Sequence, residues 1–403
     1  MKIIISTGKI MHDKAARIDL INPTKCDQKH AAHSYVDGYP YHCLDQSHRH
    51  KENNMSLEIG RSALELKAPP RLAHTEYCSN YALVRRVTGK DPVTDQNAWR
   101  CFQDAWEMDF LWITHDGPHS WAEKGRSTDM GHAEFLEGGV DRRNTVTCPF
   151  KDVEEIYAFD AVAEYGLEDM DELTQFYESV HQAHKIANPN QLCTGGYYKT
   201  LVSGAIEAFG WDMLLTAAAD KRRFEKTLDS IFRLTLHHVQ AWARTSIEAF
   251  ICHDDMVWTA GPFMHPEFYR SAIFPRYKEL WKPLISAGKK VLYCSDGNWT
   301  MFGEDIAEAG ANGFIFEPIT DLDVFVKKFG KSHILMGSKL DCRTLTFEGE
   351  ERIAEEVDAT IALAKDCPGF FFAVGNHIPS NVPVENALFF MDYLRARWRR
   401  DFE

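Results

Sequence analysis

The sequence predicts an α/β fold, a single (β/α)8 TIM barrel, on three observations. Eight short apolar runs have strand length, helical periodicity fills the gaps between them, and no nucleotide-binding loop follows any run. The runs are 72–76, 109–114, 191–195, 249–253, 290–294, 313–316, 333–337 and 370–374, with the β-branched and aromatic composition of strands. Continuous apolar stretches such as GFIFEP, HILMGS and GFFFAV suit strands buried on both faces, as in a parallel sheet. Eight strand–helix units favour closure into a barrel over an open doubly wound sheet. Neither G-x-G-x-x-G nor G-x-x-x-x-G-K-[ST] occurs after a run, which weakens the dinucleotide and P-loop alternatives.

The helical patterns are 57–67, 79–89, 95–106, 152–165, 169–187, 199–217, 220–246, 266–287, 300–310, 321–329, 349–366 and 383–398. No Pro/Gly/Ser-rich linker interrupts them, so residues 55–403 are expected to form one domain. Residues 1–54 differ. They hold six of the 18 histidines and no periodic apolar stretch, and are expected to be a disordered extension or upstream sequence ahead of Met55.

Of the 403 residues 44% are hydrophobic, as in globular proteins, and a net charge of −14 argues against a nucleic-acid binder. No stretch of about 18 apolar residues exists to span a membrane. The opening MKIIISTGKIM has an apolar core too short for a signal peptide. Ten cysteines without a short repeating spacing read as reduced thiols, so a cytoplasmic enzyme is expected.

In such a barrel the site is built at the C-terminal ends of the strands and in the loops after them. His74 and Glu76 stand two apart at the end of the first strand and project to one side, expected to be the barrel axis. A plainer account makes them a buried pair that steadies the barrel. Residues 115–149, with Arg126, Asp129 and His132, are long enough for a lid over the mouth. Tyr197 and Tyr198 follow Gly195-Gly196, where a backbone can approach a ligand closely. Asp254 and Asp255 follow His253, either as catalytic groups or as a turn cap. Cys294, Asp296 and Asn298 end the fifth strand, Glu317 the sixth, and Asn376 and His377 the eighth.

From about residue 57 to 396 the chain resembles the uroporphyrinogen decarboxylase superfamily, which includes the cobamide-dependent methyltransferases. APPRL is similar to the family's P-D-R-x-P lead into strand one. CHDDMVWTAGPFMHPEF…VLYCSDGN, AEAGANGFIFEP, FGKSHILMGSKLD and GNHIPSNVPVENALFFM follow the family's remaining motifs in order. The resemblance implies the same barrel and admits a homodimer.

Two chemistries follow from the resemblance. The methyltransferase branch implies zinc, with the family's His and two Cys positions falling on Cys294, Asp296 and Asn376, beside His377. Cys294, Asp296 and His377 would hold the metal with an open position, Glu317 could add a fourth oxygen, and Asp255 and Glu76 would stand behind them. The methyl group would then pass to or from a corrinoid-binding partner protein. The decarboxylase branch implies a tetrapyrrole substrate, with Asp129 at the pyrrole nitrogens, Arg71 on an acetate or propionate, and no cofactor. In either branch His74, Tyr197, Tyr198, Asp254 and Asn298 are expected to bind substrate. A third reading is a non-catalytic tetrapyrrole or corrinoid carrier. A metal-free pocket with Cys294 as a small buried hydrophobe is the plainer account of the zinc set.

Overall fold

The structure, a computed structural model, describes residues 46–128, 134–135, 141–142 and 148–400, with side chains over 55–128 and 148–400. Eight parallel barrel strands lie where the apolar runs predict them. They are β1 (Ala73–His74), β2 (Phe110–Leu111), β3 in two pieces (Leu192–Cys193 and Gly195–Tyr197) and β4 (Ala249–His253). Then come β5 (Lys290–Ser295), β6 (Gly313–Phe316), β7 (Ile334–Gly337) and β8 (Phe370–Phe372). Seven run in the order β1-β8-β7-β6-β5-β4-β3, and β2 pairs with the first piece of β3.

The remaining seam, between β1 and β2, is closed by three bonds. The Asp109 N–H donates to the His74 carbonyl at 2.8 Å, and the Thr75 hydroxyl to the Phe110 carbonyl at 2.7 Å. The His74 N–H in turn donates to Asp109 Oδ2 at 2.8 Å. Thr194 divides β3 because its hydroxyl takes over ladder bonds, accepting from the Ile113 N–H and donating to the Leu111 carbonyl, both at 3.0 Å.

Ala73, Phe110, Leu192, Ile251, Leu292, Cys294, Ile315, Met336 and Phe371 pack together inside the barrel. Their chain neighbours, among them Phe250, Cys252, Tyr293, Phe314, Leu335 and Phe372, pack outward under the helices. Side chains on a strand alternate, so this phase decides which residue at each strand end faces the mouth.

The helix α1 (Gln46–Leu64) closes the opposite end, with Ile59, Ala63 and Leu64 in the interior cluster. It starts ahead of the expected boundary at Met55, while residues 1–45 lie outside the described residues. Gly60 permits its approach, since a Cβ there would stand 2.3 Å from the Asp109 carbonyl oxygen.

The other helices follow the periodicity with local breaks. The 152–165 pattern divides into Val153–Ala158 and Ala161–Tyr165 because Asp160 caps a new N-terminus, accepting from the Val162 and Ala163 N–H groups. The 266–287 pattern holds a π-turn at Tyr269–Ile273 just before Pro275, which has no N–H to continue the α-helical ladder.

Candidate functional site

The strand phase builds the mouth on the C-terminal side of the barrel. Tyr77 after β1, Trp112 after β2, Cys294 and Asp296 on and after β5, Glu317 after β6 and Asn376 after β8 line one cleft. It encloses about 430 Å³ including its open mouth. Tyr198 and His253 extend this wall, as both continue the inward phase of β3 and β4, and the His253 ring stands edge-on to Trp112 at 6.1 Å.

Asp255 is the most elaborately held group there. Its Oδ1 lies 3.2 Å from His253 Nε2 and accepts from the Asp296 N–H at 2.9 Å. Its Oδ2 accepts from the Tyr198 hydroxyl at 3.2 Å. Burial works against the ionised carboxylate, but the His253 ring and these hydrogen bonds outweigh it, leaving Asp255 below its ordinary value. The second ring nitrogen, Nδ1 of fully buried His253, makes no hydrogen bond among the described residues.

Glu317 is fixed from two sides. Its Oε2 accepts from the Gly297 N–H at 2.9 Å and its Oε1 from the Asn376 amide at 2.8 Å. Gly297 has φ +78°, and a Cβ there would meet the Trp258 carbonyl oxygen at 2.7 Å, so this turn needs glycine. Asn376 itself has φ +70°, a left-handed conformation that asparagine tolerates better than most residues. Burial pushes Glu317 up despite its two donors, and the carboxylates of Asp255 and Asp341 push it further.

Cys294 is buried deeper, in the barrel interior. Burial, then the neighbouring carboxylates of Asp296, Asp255 and Glu317, raise its thiol well above the ordinary value. His377 stands across Tyr77, ring centroids 5.9 Å apart, with its Nδ1 against the Asn376 side-chain oxygen. Among the described residues no three His, Cys, Asp or Glu side chains converge in a metal-holding arrangement. The expected set of Cys294, Asp296, His377 and Glu317 therefore shares a region without fitting zinc, and no step below runs through a metal.

A model of the uroporphyrinogen decarboxylase (URO-D) family matches residues 156–397, more than half of the chain and all of the mouth from Tyr197 onward. The chain belongs to the uroporphyrinogen decarboxylase family. Among curated proteins it is similar to a uroporphyrinogen decarboxylase of Pelobacter propionicus, 26% identical over 162 residues. That match covers 40% of this chain and spans about half, 46%, of the relative's length. Among solved structures a methyltransferase from Methanosarcina mazei superposes with a TM-score of 0.59 at 15% identity, covering 85% of this chain and 98% of that one. This likeness supports the eight-stranded barrel.

Several residues that the family resemblance suggested for substrate lie elsewhere. Arg71 precedes β1 at the opposite end of the barrel. It grips Asp109 with two bonds of 2.6 and 2.8 Å, and its guanidinium lies 4.1 Å over the Trp398 ring. His74 and Glu76 face outward, because Ala73 holds the inward phase of β1. The His74 ring sits between the Trp106 carbonyl at 3.0 Å and Glu76 at 3.2 Å, and Glu76 accepts from the Val374 N–H. Burial pushes His74 down to about 3 and Glu76 well up, so charge is disfavoured on both. Their role is the barrel-steadying pair.

Tyr197 also points outward, stacked on His238 with centroids 5.0 Å apart; Tyr198 is the inward one. Asp254 caps a helix: its Oδ1 accepts from the Ser203 N–H at 2.7 Å and its Oδ2 from the Tyr277 hydroxyl at 2.5 Å. Asn298 caps the Thr300 turn through its side-chain oxygen. Asp129 and His132, and with them most of the expected lid, lie outside the described residues.

Sequence reasoning missed Tyr77 and Trp112 as walls and His253 as the partner of Asp255. The signal was available in the i, i+2 spacing from Ala73, Phe110 and Ile251.

Proposed function

We propose that this family member is an enzyme that moves a methyl group between a small ligand at the barrel mouth and a corrinoid carried by a partner protein. One observation carries the reading. Asp255, Asp296 and Glu317 gather at the mouth, and no Lys or Arg lines its cleft among the described residues. A tetrapyrrole with its ring of carboxylates needs several cations to hold it, and the described lining supplies none. The Methanosarcina protein, named as a methyltransferase, has the same barrel, which is in keeping with this reading.

The residues supply acid–base work. The methyl carbon would pass to the corrinoid as its bond to an oxygen or sulfur of the ligand breaks, the electron pair stays with that atom, and a proton from His253 Nδ1 can neutralise the charge there. Asp255, bonded to Nε2, orients the ring and stabilises its protonated form. Tyr198 and the Asp296 N–H hold Asp255 in place.

A second reading, decarboxylation of a tetrapyrrole carboxylate, is favoured by the 26% identical stretch shared with the Pelobacter enzyme. It would depend on Asp129.

Full-length protein should be assayed in parallel with methylated donors plus reduced cobalamin, reading methylcobalamin by absorbance, and with uroporphyrinogen, reading released CO2. Methylcobalamin without CO2 is the expected outcome. CO2 release abolished by Asp129→Asn would replace the proposal with the second reading.

A further inference from the structure

We infer that Asn376 is a positioning residue that passes the polarity of Glu317 to the His377 ring. It holds that ring as the tautomer with hydrogen on Nδ1, so that Nε2 is an acceptor. The inference goes beyond the methyl-transfer reading and does not rest on it.

Polarity enters at Gly297. Its backbone N–H can only donate, and it does so to Glu317 Oε2 at 2.9 Å. A carboxylate carries no hydrogen, so Oε1 is an acceptor too, and the amide facing it must present its nitrogen. The Asn376 Nδ2–H group donates there at 2.8 Å. An amide has nitrogen on one side and oxygen on the other, so this bond turns the Asn376 oxygen toward His377 Nδ1. Against an oxygen the ring nitrogen must donate. A neutral imidazole has one ring hydrogen, and with that on Nδ1 the lone pair is left on Nε2. Whatever group meets Nε2 must then donate to it.

The backbone keeps the three side chains in register. The Gly375 N–H donates to the Leu340 carbonyl at 2.8 Å and the Ile378 N–H to the Tyr77 carbonyl at 2.9 Å, which ties the chain on both sides of Asn376 and His377. The His377 ring stands edge-on to Tyr77, which lines the cleft together with Glu317 and Asn376. Asn376 has φ +70°, a conformation that persists outside glycine where the surroundings hold it, and that gathers at functional sites. A turn needs at most one bond from such a side chain. This one is engaged at both of its polar atoms, each to a titratable group.

The test is NMR of the full chain carrying nitrogen-labelled histidine, in alkaline buffer, with the His377 signals identified by their loss in His377→Gln. Protonated and bare ring nitrogens resonate far apart, so the tautomer is read directly. The parent is expected to carry hydrogen on Nδ1 alone. Glu317→Gln keeps the shape but places an NH2 group where Oε1 was, because the Gly297 N–H still needs an oxygen. Asn376 should then turn over and present its own NH2 to Nδ1, moving the ring hydrogen to Nε2. Packing alone would leave the tautomer unmoved in this isosteric variant. Asn376→Gly, which suits the left-handed backbone, should also let the Nε2–H form appear, and it decides the matter if Glu317→Gln fails to fold. Hydrogen on Nε2 in the parent, or the Nδ1–H form kept unchanged in either folded variant, would overturn the inference. The expected tautomers in a protein without methyl transfer would keep this inference and remove the functional reading. Methyl transfer by a protein whose His377 tautomer ignores Glu317 would do the reverse.

Discussion

Asp254 and Asp255 are chain neighbours with opposite surroundings, and the difference sets what each can do. Asp255 faces the mouth and is held below its ordinary value by His253 and two further donors, the Asp296 N–H and the Tyr198 hydroxyl. We expect Asp255→Asn to lower turnover by roughly 10²–10⁴-fold, with a melting temperature close to that of the parent by differential scanning calorimetry. Asp254 faces outward under helix Val202–Ala218, and burial raises it from an ordinary 3.8 to about 6. The folded state therefore binds this proton more tightly than the unfolded chain does. The stability it contributes is full below about pH 4 and falls as pH rises through 6, by about 3 kcal/mol. Asp254→Asn should flatten the stability curve between pH 4 and 6, as measured by denaturant unfolding at each pH. The His-Asp-Asp run announced two acids at one strand end, but which of them turns inward was not legible. That depends on the phase of β4, set by Ala249 and Ile251 packing inside.

Strands and helices were legible nearly throughout, because each buried strand is a continuous apolar run and each helix carries an apolar stripe. What was not legible was the phase of β1. Small Ala73 is the inward residue there and the polar His74 the outward one, inverting the usual expectation that polar groups at a strand end face the site. The same element carries Arg71 at its start, tied to Asp109 beneath Trp398. Removing one partner of a buried pair leaves an uncompensated charge, so Arg71→Ala should destabilise the fold by about 3–5 kcal/mol. Its folded fraction should keep the parental KM, a split that chemical denaturation and kinetics read separately. Gly297, too, acts at this scale. Gly297→Ala should raise KM and lower the melting temperature together, because the turn that presents its N–H to Glu317 cannot keep its path beside the Trp258 carbonyl.

At the scale of the whole molecule, one barrel divides the protein into a stabilising end and a working end. Helix α1 seals the first, and inside it Phe110 and Phe371 meet at 5.4 Å across the barrel. Phe371→Ala should cost about 3–5 kcal/mol, read as a lower denaturant midpoint. The working end was visible in the sequence as a succession of acids after strands. Of the zinc set suggested by resemblance, Cys294, Asp296 and Glu317 share the cleft, and among the described residues no three His, Cys, Asp or Glu side chains converge in a metal-holding arrangement. Among the described residues no helix is long and apolar enough to cross a membrane.

The account stands on Asp255 and its ring at the mouth being the working centre, and on the Arg71 end being scaffold. Comparing kcat/KM for methyl transfer to cobalamin in Asp255→Asn and Arg71→Ala tests this directly, with each value normalised to folded protein. A loss of at least about 100-fold in the first, and parental activity in the second, is the result predicted. The reverse pattern, or no methyl transfer by the parent protein, would contradict it.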